Sequence, residues 1–124
     1  MRNVQFLHAS GPDEWPAGLF DVVCLIDVLH HVPVVIQGAF FLEAASRVKQ
    51  GGLLIYKDMA ERPLWRALAN RMHDLVLARQ WINYVSMERA GEWAGSDGLV
   101  VKASEAFTVG PYAHELSVFA RPSA

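Results

Sequence analysis

One cysteine, Cys24, stands in 124 residues. That excludes an intramolecular disulfide and fits a reducing cytoplasm. No apolar run approaches the roughly 20 residues that a bilayer span requires. The longest is interrupted by Asp27, so a membrane-spanning reading fails. The opening MRNVQFLHAS holds no continuous apolar segment of the export-signal kind. Clustered positive charge is missing too. Eleven Lys and Arg face thirteen Asp and Glu, for a net charge of −2. A pI of about 6.2 argues against nucleic acid as an obligate partner. The five histidines show no zinc-ligand spacing, so no metal site is expected. Internal repeats and low-complexity segments are also absent.

What is present is an apolar excess. Hydrophobic residues make up 52% of the chain, and the mean hydropathy is +0.17. An excess of this kind implies a surface covered by a partner, a ligand or a further part of the fold. The length supports a single domain, residues 1–124. Val4–Ala9 reads as a short β-run closed by Ser10-Gly11-Pro12-Asp13. Asp21–Val28 is nearly continuously apolar, the pattern of a central strand covered on both faces. Cys24, in mid-strand, is expected to be a small buried hydrophobe. After Pro33 the segment Val34–Gln50 predicts a helix, with Phe41, Ala45 and Val48 on one stripe and a Glu43–Arg47 pair on the wet side. Gly51-Gly52 is expected to end that helix. Leu53–Lys57 then reads as a strand ending in Asp58, which completes a βαβ unit.

Beyond Pro63 a long helical pattern covers Leu64–Val85, and a shorter one surrounds Trp93 in Met87–Ser96. Leu99–Thr108 and Glu115–Arg121 predict an antiparallel hairpin at a sheet edge. The fold class is α/β, a mainly parallel sheet carrying an antiparallel pair.

Phe20-Asp21-Val22-Val23 followed by Asp27-Val28-Leu29-His30-His31-Val32-Pro33 resembles the fourth-strand motif of class I S-adenosylmethionine-dependent methyltransferases. Arg47-Val48-Lys49-Gln50-Gly51-Gly52-Leu53-Leu54-Ile55 is similar to that family's helix end and fifth strand, with Gln50 where proline is usual. His114-Glu115-Leu116-Ser117-Val118 is similar to its last strand. The resemblance implies a partial Rossmann-like sheet, S-adenosyl-L-methionine as cofactor and a small-molecule acceptor. The family's G-x-G-x-G loop, whose backbone approaches the cofactor closely, is not found before Phe20. The chain is therefore expected to be the C-terminal portion of such an enzyme, with little activity by itself. The alternative is a non-catalytic subunit that self-associates.

The resemblance places Ala9 and Ser10 near the adenine and Asp27 and Leu29 at the carboxyl end of the central strand, where open α/β sheets hold ligands. His30 and His31 are candidates for a general base, since imidazole titrates near neutrality. As neighbours they cannot both point the same way. Asp58, Arg71, His73 and Tyr84 are candidate substrate contacts. Without the strands that flank it in the family, the Asp21–Val28 strand is an edge. It is expected to be covered by Val4–Ala9 or by another copy of the chain, giving a homo-oligomer.

Overall fold

The computed structural model describes residues 3–59, 85–109 and 112–123. A single turn of 3-10 helix at Pro12–Glu14 precedes strand β1, Phe20–Ile26. A second such turn, Leu29–His31, leads into helix α1, Val34–Ser46, and strand β2, Val48–Met59. Helix α2, Met87–Ser96, then precedes strands β3, Val100–Val109, and β4, Tyr112–Ala120. The sheet order is β1-β2-β4-β3. β1 and β2 are parallel, while β4 runs antiparallel to both β2 and β3. The predicted hairpin is thus present, with its first strand at the sheet edge.

The core forms where the helices meet one face of this sheet. Gln37, Phe41, Ala44 and Ala45 are the buried positions of α1, the i, i+4, i+7, i+8 spacing of a core-facing stripe. The fully buried Phe41 ring sits 5.7 Å from Tyr56, 5.5 Å from Trp93 and 6.1 Å from Phe119. α2 starts at Ser86, whose hydroxyl accepts the Arg89 N–H at 3.2 Å. Arg121 ties the layers together. It donates to the Val48 carbonyl (2.8 Å), the Ala45 carbonyl (2.9 Å) and both the carbonyl (2.8 Å) and the carboxylate (2.6 Å) of Asp97. The expected Glu43–Arg47 pair forms at 3.1 Å. Arg47 also donates to the Pro12 and Pro16 carbonyls, pinning the segment before β1.

Four expectations are corrected. Gly51-Gly52 does not cap the helix; α1 ends at Ser46 and both glycines lie inside β2. Gly51 has φ of 81° and donates to the Arg121 carbonyl at 2.8 Å. A Cβ on Gly52 would meet the Asp21 carbonyl oxygen at 2.7 Å. The pairing of Phe20 with Val48 and of Val22 with Leu53 accommodates the excursion.

Val4–Ala9 is not a strand and does not cover β1; it is irregular, with Phe6 92% exposed. A β-run needs a neighbour for its backbone groups, and β1 pairs only with β2 among the described residues. Nor is β1 buried on both faces. Leu25 alone is buried there, while Val22 and Ile26 are each 47% exposed. Cys24 shares that open face and is exposed rather than buried. Most of the Leu64–Val85 helical pattern lies outside the described residues.

Candidate functional site

The carboxyl ends of β1 and β2 gather the polar side chains. At the end of β1, Asp27 takes φ of 54°, a left-handed conformation that Asp tolerates better than most residues. Its N–H still reaches the Lys57 carbonyl at 2.8 Å, extending the ladder by one bond. Its carboxylate receives the Lys57 ammonium on both oxygens, at 2.8 and 2.9 Å.

The chain then turns into Leu29–His31. His31 N–H donates to the Val28 carbonyl at 3.1 Å and Val32 N–H to the Leu29 carbonyl at 3.0 Å. Successive residues of β2 point to opposite faces. Lys57 therefore serves Asp27 on one side, while Asp58 serves His30 on the other. The Asp58 carboxylate accepts the His30 backbone N–H at 3.1 Å, the His30 imidazole at Nδ1 and the Met59 N–H at 2.8 Å. Both side chains of this pair are only 2% exposed.

The two adjacent histidines take different places. His30 is buried against Asp58, whereas His31 faces solvent with its ring centroid 4.1 Å away. Asp58, expected as a substrate contact, is itself buried behind His30. Leu29 is fully buried, and its carbonyl also receives the Gln37 side-chain amide at 3.1 Å. Ser10 donates its N–H to Glu14 at 2.5 Å in the segment that precedes β1, with Ala9 half-buried beside it. No hydrogen bond among the described residues ties Ala9 or Ser10 to Asp27 or His30. Arg71, His73 and Tyr84 lie outside the described residues.

Two further groups complete this end of the sheet. Tyr56 is buried, and its hydroxyl has no hydrogen-bond partner among the described residues. Burial, reinforced by the charges of Asp58, Glu115 and Asp27, pushes the phenol far above its ordinary range, so it stays neutral. His114 stacks on Phe107 at 5.4 Å. Burial and the nearby Lys57 charge push its imidazole down. Sequence reasoning missed Lys57, Gln37 and Tyr56. The lysine alone had a local signal, as a charge at the tip of an otherwise apolar strand.

A sheet that ends in a buried histidine–carboxylate pair, at the edge where parallel strands present their carboxyl ends, defines an α/β protein of the open, ligand-binding kind. The match is more specific than that. A model of the methyltransferase domain covers residues 2–103, and the chain belongs to that family, whose class I members use S-adenosylmethionine. No curated protein matches the chain.

Among solved structures, an O-methyltransferase family protein from Burkholderia thailandensis is 21% identical. It superposes with a TM-score of 0.73 over 99% of this chain and 37% of its own. Magnesium protoporphyrin IX methyltransferase from Synechocystis PCC 6803, with bound SAH, gives 18% identity and a TM-score of 0.68 over 86% of this chain and 47% of its own. The N-methyltransferase NodS from Bradyrhizobium japonicum WM9, in complex with S-adenosyl-L-homocysteine, gives 15% and 0.64 over 90% and 51%. At these identities the likeness shows the fold. The chain spans between about a third and a half of the length of these relatives.

The residues present fit one side of an S-adenosylmethionine site. Among the described residues β1 has no neighbour on its outer edge, and Asp27 takes a left-handed turn at its carboxyl end. The glycine-rich loop that would face it is not in this sequence.

Proposed function

We propose that the chain forms the acceptor-side wall of an S-adenosylmethionine-dependent methyltransferase acting on a small molecule, with His30 as the general base. The observation that carries this reading is the buried His30–Asp58 pair. A carboxylate at Nδ1 fixes the proton there, leaving Nε2 as the basic nitrogen. An imidazole oriented in this way takes the proton of an acceptor hydroxyl, a contribution typically worth about 10²–10⁴ in rate. Asp58 acts through His30: it sets the tautomer and stabilises the imidazolium that forms. Asp27 and Leu29 would border the cofactor, and Ala9 and Ser10 its adenine. When bound, S-adenosylmethionine supplies an electrophilic methyl on a sulfonium sulfur. Of the further acceptor contacts, His31 beside the base is supported by its exposure, and Arg71, His73 and Tyr84 by the family resemblance alone. A soluble, cytoplasmic setting accords with the single cysteine and with the lack of any long apolar helix among the described residues.

On this reading the chain alone binds S-adenosylmethionine weakly, because one wall lacks its counterpart. Calorimetric titration of the purified chain tests that: no micromolar binding is expected, and micromolar affinity would overturn the one-wall account.

The open edge of β1 favours a second reading, a non-catalytic subunit that self-associates through that strand. A strand whose outer edge has no partner among the described residues, with Val22 and Ile26 half exposed, is a template for pairing. Sedimentation analysis separates the readings. A dimer dissociated by Ile26→Lys supports self-association, and a monomer at all concentrations removes it.

A further inference from the structure

We propose that Gln37 is a positioning residue for His30, holding the turn that carries the imidazole from the helix side while Asp58 holds it from the sheet side. The inference rests on the reading of His30 as the base. Leu29–His31 is a single 3-10 turn, a poor hydrogen-bonding geometry that needs outside support. Asp58 supplies that support at the His30 backbone N–H and ring. Gln37 supplies it at the Leu29 carbonyl, 3.1 Å away, whose other lone pair takes the Val32 N–H at 3.0 Å. One residue is thus gripped through its neighbour's carbonyl and through its own amide, by two different elements.

The choice of residue is informative. Gln37 is 2% exposed on the core stripe of α1, beside positions filled by Phe41, Ala44 and Ala45. A buried amide costs free energy unless it is hydrogen-bonded, and leucine or methionine would fill that volume without the cost. Among its contacts the amide places a donor on the turn, at the Leu29 carbonyl.

The test uses the isotope-labelled chain and two readouts: hydrogen exchange of the His30 backbone N–H, and the downfield Nδ1–H resonance assigned by its loss in His30→Gln. Gln37→Met keeps the volume and removes the donor. The expected result is at least about tenfold faster exchange, equivalent to about 1.4 kcal/mol, with loss or broadening of the Nδ1–H signal. Ala45→Gly, in the same helix and also fully buried, controls for general loosening and should leave both readouts unmoved. If Gln37→Met fails to fold, Gln37→Asn takes its place, since it keeps the amide but withdraws it by one methylene. Unmoved readouts in the Gln37 variant, or equal movement in Ala45→Gly, would overturn the proposal. A His30→Gln enzyme with undiminished methyl transfer would instead defeat the base assignment and leave the exchange result standing.

Discussion

Replacing Asp58 by asparagine removes one charge and turns one acceptor into a donor at a buried polar contact of the site. The carboxylate accepts three hydrogens, from the His30 N–H, the His30 ring and the Met59 N–H, and both members of the pair are 2% exposed. Asparagine keeps one acceptor oxygen and presents an NH₂ where the second was. If that NH₂ faces Nδ1, the imidazole must shift its proton to Nε2 to accept from it, and the charge assistance is lost. If it faces the His30 N–H, a buried donor is orphaned. A lost charge-assisted bond is worth about 1.5–3 kcal/mol and an orphaned donor about 1–3 kcal/mol. Breaking a buried pair typically costs about 3–5 kcal/mol, and Asp58→Asn is expected to fall there. Asp27→Asn is the matched comparison, because the Asp27 and Lys57 side chains are 40% and 20% exposed. There the cost should stay within about 1 kcal/mol. Urea unfolding at neutral pH, followed by tryptophan fluorescence, measures both. An Asp58→Asn loss no larger than that of Asp27→Asn would refute the claim that the His30–Asp58 pair is the buried anchor of this end of the sheet.

Three other outcomes follow from the same structure. Gly52→Ala should cost about 1–3 kcal/mol, as overpacking does, because its Cβ would sit 2.7 Å from the Asp21 carbonyl oxygen and 2.9 Å from that of Lys49. Gly91→Ala, in α2 with open space around it, should instead stabilise by roughly 0.5–1 kcal/mol through helix propensity; urea midpoints distinguish the two. Folded His114 is held below its ordinary value, so between the folded and unfolded values unfolding takes up a proton and stability falls as pH drops below about 6.5. His114→Gln should lose less stability than the parent between pH 7.5 and pH 5.5, and equal losses would remove His114 as a cause.

The fold was legible where local pattern and tertiary environment agree. Phe41 and Ala45 fell on the buried stripe of α1, and the β3–β4 hairpin followed from two β-rich runs close in sequence. Legibility failed where the deciding partner is remote. Gly51-Gly52 carries the same local signal for a helix cap as for a bulge. The choice was made by Arg121, which bonds to both, and by the approach of the Asp21 backbone. Val4–Ala9 has strand propensity, but pairing is a property of two segments, and no second one meets it among the described residues. At the site, His30 and Asp58 were each visible as candidates. Their contact spans 28 positions, and the fold alone decides which histidine turns inward. Gln37 had no signal at all, since a lone amide in a helical stripe reads as a surface residue until its carbonyl partner is seen.

The central claim, that His30 oriented by Asp58 removes the proton from the methyl acceptor, is tested most directly by the methyl-transfer rate of the whole enzyme carrying His30→Gln, with cofactor affinity measured alongside. The account predicts a fall in kcat of about 10²–10⁴ with cofactor affinity unchanged. A kcat within a few-fold of the parent enzyme would contradict it.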